Sequence, residues 1–420
     1  MFTRNTHSVL RFSTGACAAL IMAAGGMGCF GGHGKHTQAH LNAAQAKMSA
    51  MKSATEWDMA RQAFLAGDLD KALKHVDDSI ALNASVPKSH VLRGRILMEM
   101  GNMNGAMESL RTAESLDPQN IDAQYFLGVA HERLGKQDVA AAHYRNASEL
   151  DTSKAMYAIA AAEMMIDAGQ LAEAEQFLVE RQSDFEYSAG VRQTLGHIAL
   201  LGGDAEKARS LFTEARFMAP EDLSVLEDLA RAEVATGRFA EAEYNLSQLL
   251  EAEGYGDRRD LMHMQSRCLV ALDRPVEARD LLTRLTQGDG GAKDVDAWVQ
   301  LGHVSYVIKD QARLRTCASR VIALTPNRAE GYTLLALYQR SRGDLEGALA
   351  SLDKACQFRG DDTSPLVLKG LVARKLEQFD TARSAFETAS AEDPDNASLK
   401  ALLDTLPGET FATVPDDGGN

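Results

Sequence analysis

Aromatic residues are scarce in this sequence, at 6% of 420 residues, and only nine prolines occur. Sheet architectures lean on aromatic and β-branched side chains, so this shortage, beside abundant alanine, points to closely packed helices. Positive charge is also short: 44 Lys and Arg stand against 59 Asp and Glu, a net charge of −15. With no basic excess to release counterions from phosphates, broad nucleic-acid binding is excluded, and electrostatic docking on anionic lipid is disfavoured. Five cysteines (17, 29, 268, 317 and 356) form no CxxC pair and no Cys/His metal spacing. Cys268, Cys317 and Cys356 read as small buried hydrophobes. What is present suits a folded chain, with 45% hydrophobic and 25% charged residues.

Residues 1–28 have the layout of an export signal. Arg4, His7 and Arg11 precede an apolar stretch over 16–24, and the small residues Gly25-Gly26-Met27-Gly28 lead to Cys29. The apolar stretch is too short to span a bilayer, which takes about 20 residues. The Gly28-Cys29 junction resembles the cleavage and lipidation site of bacterial lipoproteins, although Gly26 stands where such sites carry an aliphatic residue. The resemblance implies lipidation at Cys29 and an exported, periplasmic protein tethered to the outer membrane; ordinary cleavage nearby, or no cleavage, is the alternative. Residues 29–52 read as a tether and leading helix, with the flexible part at Gly31-Gly32-His33-Gly34-Lys35-His36 and a short helix over 41–52. Histidines in a glycine-rich segment make a poor preformed metal site, and no metal or cofactor is expected.

Glycines recur every 34 residues, at Gly67, Gly101, Gly135, Gly169, Gly203 and Gly237. Each closes one amphipathic stretch just before another, where a helix end needs positive φ. The unit is helix, tight turn, helix, and ten units fit between 53 and 396: 53–86, 87–120, 121–154, 155–188, 189–222, 223–258, 259–294, 295–328, 329–362 and 363–396. Position 8 of the unit is always Ala, Gly or Ser, and position 20 is Ala except at Leu314. Position 24 is bulky in most units, as at Leu110, Tyr144, Phe212, Leu246, Leu282 and Phe386, so small residues on crossing helices receive a large one. Prolines 118, 220, 326 and 394 close several units.

These residues resemble the tetratricopeptide repeat (TPR) family. The resemblance implies an all-α, right-handed superhelical solenoid in which the first helix of each unit lines a concave groove. Residues 397–406 are expected as a closing helix and 407–420 as a disordered tail. In the seventh and eighth units Asp273 and Lys309 replace the turn glycine, Leu314 replaces Ala, and a glycine-rich loop occupies 287–291; the array is expected to bend or loosen there.

No motif carries catalysis. The segment 288–293 lacks P-loop spacing and a preceding strand, and no Gly-x-Ser-x-Gly elbow places a nucleophile. The expected activity is binding without an enzyme reaction. Family geometry points positions 2, 5, 9 and 12 of the first helix into the groove, and position 9 includes Arg61, Arg95, Arg231, Arg267 and His303. These form a broken basic stripe suited to carboxylates, with Trp57, Tyr125 and Tyr306 as flat apolar contacts. The competing reading pairs each Arg with an acid on an adjacent helix. Position 5 holds no Lys, and position 6 no Asn in the first six units, so a clamp for chaperone tails is not expected. The function implied is an envelope scaffold binding one or more proteins through acidic or extended segments, as in pilus, secretion or polysaccharide-export assemblies. A carbohydrate-binding solenoid and a cytoplasmic TPR adaptor are the alternatives.

Overall fold

The computed structural model describes residues 35–407; the leader with Cys29, the glycines that follow it and the tail after 407 lie outside the described residues. Every element among the described residues is helical. The chain divides into two compact units, Met1–Pro118 and Gln119–Asn420.

The first unit holds two helix pairs, α1 (Lys35–Leu65) with α2 (Leu69–Leu82) and α3 (Pro87–Glu99) with α4 (Met103–Leu116). Residues 41–52 are not a separate leading helix, because α1 runs unbroken from within the expected tether into the first repeat. Nothing in that stretch stops a helix, since no Gly or Pro interrupts it.

The second unit opens with α5 (Ile121–Arg133), α6 (Gln137–Leu150), α7 (Ala155–Asp167), α8 (Leu171–Glu180), α9 (Ala189–Leu201) and α10 (Ala205–Met218). It continues through α11 (Leu223–Ala235), α12 (Phe239–Glu251), α13 (Arg259–Ala271), α14 (Pro275–Leu285), α15 (Gly288–Gly291) and α16 (Val295–Val307). The last elements are α17 (Gln311–Leu324), α18 (Ala329–Ser341), α19 (Leu345–Phe358), α20 (Ser364–Lys375), α21 (Phe379–Glu392) and the closing α22 (Ala397–Asp404).

The pair α9/α10 shows why the repeat folds this way. Gly203 adopts φ +83°, and the Asp204 amide reaches back to the Ala199 carbonyl at 2.8 Å, which terminates α9. Asp204 then accepts the Lys207 amide at 3.0 Å and opens α10. Across the hairpin Phe212 lies so close to Gly196 that a Cβ there would sit 2.5 Å from its ring. Ala208 and Phe212 are fully buried.

The seventh and eighth repeats keep this geometry with other residues, and the expected loosening does not occur. Asp273 and Lys309 adopt φ +55° and +60°, so the left-handed turn survives without glycine. Leu314 is 1% exposed and the residue one turn later, at position 24, is fully buried Ala318: large and small have exchanged places on α17. The space beside Gly302 is filled by Leu334 of the next repeat, 2.6 Å from where a Cβ would be. Met262, Leu282, Leu301, Leu314 and Leu334 belong to one continuous buried cluster. Nor is 287–291 an open loop: it includes the helical turn α15, with Gly291 buried against the Leu285 carbonyl. Cys268 and Cys317 are buried free thiols and Cys356 is half-buried. Burial pushes the Cys268 thiol up to about 11 and Cys317 up to about 12, which suits packing and not nucleophilic chemistry.

Candidate functional site

The first helices of the second unit present polar side chains at the positions expected to face a ligand, and most of these are already satisfied. Arg231 donates to Glu227 at 2.7 Å and to Asp260 at 3.2 Å. Arg258 binds the same two carboxylates at 2.8 and 2.7 Å, so two guanidiniums and two carboxylates cancel. Hydrogen bonding from Arg258 holds Asp260 down at about 2. On α9, Gln193 and His197 both meet Asp228, at 2.7 and 2.8 Å. On α13, Arg259 and His263 share Asp294. Arg328 pairs with Glu330 at 2.5 Å and Asp296 at 3.3 Å.

Arg267 breaks this pattern. It is exposed on α13 and makes no ion pair among the described residues. It stands at a hollow of about 510 Å³ between α13, the following turn and α16, together with His303. The hollow's apolar part comes from Val270, Ala271, Val304 and Val307; Val270 is 49% and Val307 60% exposed. Asp273, the residue in the strained turn, is on its rim. Gln300 is fixed by the Ser266 hydroxyl at 2.9 Å and faces His263 at 3.3 Å. The His303 side chain is open to solvent yet sits in a hollow crowded by protein atoms. That crowding desolvates the imidazolium and holds its pKa below the ordinary value, against an upward pull from Glu330 and Asp362.

The expected stripe is therefore not one site. Arg267 and His303 come together; Arg231 follows the competing reading and is neutralised by neighbouring acids. Tyr306 lines an adjacent hollow of about 400 Å³ with Val307, Lys309 and Gln311. Tyr125 is half-buried in a ring cluster, with centroids 5.1, 5.6 and 5.4 Å from Phe126, Tyr144 and Tyr157. In the first unit the Trp57 ring carries Lys88 at 4.2 Å and Arg61 at 5.7 Å, and its Nε1 donates to the Lys88 carbonyl at 3.2 Å. Arg95 lies 5.1 Å from the Phe64 centroid. Sequence reasoning missed Val270 and Val307, whose signal was an exposed aliphatic side chain late in the first helix of consecutive repeats. It also missed Arg258, because that residue precedes its helix and falls outside the positions considered.

Among the described residues, successive helix pairs with a bulky-into-small core at fixed register define a helical-repeat protein, a class that serves as protein-interaction scaffolding. Family models described as TPR repeat and Tetratricopeptide repeat match residues 94–135 and 194–252, so the chain carries tetratricopeptide repeats. Cellulose synthase operon protein C of Xanthomonas axonopodis pv. citri is 23% identical over 392 residues, covering 85% of this chain and 26% of that protein. Tetratricopeptide repeat protein 36 of Xenopus tropicalis is 35% identical over 89 residues, covering 20% of this chain and 44% of that one. The chain thus spans less than half the length of these curated relatives, 26% and 44%. Among solved structures, the type IV pilus biogenesis factor PilW aligns at 18% identity over 48% of this chain and 95% of its own, with a TM-score of 0.42. Pseudomonas aeruginosa pilF aligns at 21% identity over 48% and 90%, with a TM-score of 0.41. No helix among the described residues is long and apolar enough to cross a membrane.

Proposed function

We propose that this protein is a non-enzymatic scaffold of the bacterial envelope that holds an extended acidic or mixed segment of a partner protein on the first-helix face of its second unit. Arg267 carries the reading: a guanidinium without an acid partner among the described residues, beside an aliphatic hollow, on a face where Arg231, Arg258 and Arg328 are matched by carboxylates. A guanidinium there pairs with a carboxylate in two hydrogen bonds, while Val270 and Val307 take a neighbouring aliphatic side chain. The export-signal layout of residues 1–28, with Cys29 as the lipid-bearing residue, supports a periplasmic position tethered to the outer membrane. The name of the Xanthomonas relative makes polysaccharide assembly the first context to examine. Glycan binding is the second reading, resting on Tyr306 beside its hollow; it is the weaker, because Tyr125 is engaged with other rings.

Fluorescence anisotropy with a labelled Glu-Leu-Glu-Val-containing peptide, a lysine-substituted counterpart and soluble cello-oligosaccharides separates these readings. Preference for the acidic peptide, weakening as salt rises, supports a protein segment. Salt-insensitive oligosaccharide binding lost on Tyr306→Ala establishes the glycan reading. Mass spectrometry of the mature N-terminus decides anchoring: a diacylated Cys29 supports it, and an intact leader establishes a cytoplasmic adaptor instead.

A further inference from the structure

The first helix carries an apolar seam that stays largely exposed among the described residues. Leu41, Met48, Met51 and Met59 are 50%, 60%, 65% and 40% exposed, and Ala44 and Thr55 between them are exposed too. At 3.6 residues per turn these six fall within roughly 80° of one another, with the three-and-four spacing of a helix-pairing seam. The opposite side of α1 is in use. Ser53 and Ala60 are buried against α2, with the Ser53 hydroxyl 2.9 Å from the Ser79 carbonyl, and Trp57 reaches α3 through the Lys88 carbonyl. The seam thus occupies the face where a preceding repeat would stack, the kind of end that a solenoid must cover.

Its flanks identify the cover. Lys47 and Lys52 border the seam, and no Asp or Glu occurs between 35 and 55, although the whole chain has a net charge of −15; in the seam's last turn Glu56 is bonded to His75 and Asp58 is exposed. Self-pairing in parallel sets Lys47 against Lys52 of the copy, so a second copy is disfavoured. The narrow stripe, with small Ala44 and Thr55 inside it, suits a close helix neighbour better than a bilayer surface, which favours a broad face with Trp or Phe. We infer that the seam from Leu41 to Met59 is a docking site for an amphipathic helix of a partner protein, apolar on one stripe and acidic along its edges. This surface does not depend on Arg267.

The test uses the full chain and a labelled synthetic helix of about four heptads, Leu at the core positions and Glu at the flanks, beside a version with Lys at the flanks. The acidic helix is expected to bind, and the Leu41→Ser/Met48→Ser/Met51→Ser variant to weaken it by at least about tenfold with an unchanged helical circular-dichroism spectrum. Lys47→Glu/Lys52→Glu is expected to switch preference to the basic helix. Equal binding of both helices, or no loss in the triple variant, overturns the inference. So does binding to phosphatidylglycerol vesicles, or dimerisation in sedimentation velocity, that the triple variant abolishes, reassigning the seam to a membrane or to a second copy.

Discussion

The fifth repeat, 189–222, and the stretch through the seventh and eighth, 259–328, solve the same packing problem with different residues. In the fifth, glycine makes the turn and Phe212 drops onto Gly196. In the eighth, Lys309 makes the turn, Leu314 and Ala318 trade sizes, and Leu334 arrives from the next repeat to cover Gly302. In both, the large and the small residue are buried, as a volume-conserving exchange allows. What differs is the surface. Asp273 and Lys309 hold side chains in left-handed turns where glycine has none, and each lines one of the two hollows beside α16. The departures from the repeat pattern mark where the surface has become individual, while the interior has been repaired.

The sharpest way to break this comparison is to truncate the two large core residues. Phe212→Ala is expected to cost about 3–5 kcal/mol and Leu314→Ala about 2–5 kcal/mol in urea denaturation. A cost well under 1 kcal/mol for Leu314→Ala means that the eighth repeat is loose after all. Next come the turns: Gly203→Ala forces a Cβ into φ +83° and is expected to lose about 1–2 kcal/mol. Lys309→Gly relieves that strain but frees the unfolded chain, so thermal melts are expected to show a net change within about 1 kcal/mol. If Lys309→Gly destabilises strongly, its side chain holds the hollow together.

Acid titration gives the smallest effect. Desolvation holds the His303 pKa below its ordinary 6.5, so the unfolded chain takes up a proton before the folded one does. Stability therefore falls as pH drops through the window below 6.5, and His303→Gln is expected to flatten that part of the profile. The Arg258–Asp260 pair acts lower: Asp260 is held at about 2, and its contribution, fully present above 3.8, is lost as pH falls toward 2. An unchanged slope in His303→Gln through the upper window contradicts the desolvation of that side chain.

The repeat was legible because its core positions obey strict steric rules. Glycine at a positive-φ turn, a small residue at 8 and 20, and a bulky one at 24 leave a periodic imprint, and the residues at 8, 20 and 24 are buried in the structure. The exchange of Leu314 and Ala318 was hidden because single-position reading does not see a volume returned one turn away. The site was less legible for a related reason. Position 9 places an arginine on the right helix, but whether it is free depends on acids from other repeats, such as Asp260 for Arg231. That pairing is set by side-chain reach across helices and leaves no periodic mark.

In the proposed function Arg267 and Arg231, at the same position of consecutive repeats, differ in kind: one open to a ligand, one committed to the scaffold. Anisotropy of the labelled acidic peptide against Arg267→Ala and Arg231→Ala, at low and physiological salt, tests it directly. At least about a tenfold loss is expected for Arg267→Ala with an unchanged melting temperature, and a loss of less than about threefold for Arg231→Ala. Equal losses from the two variants, or none from Arg267→Ala, contradict it.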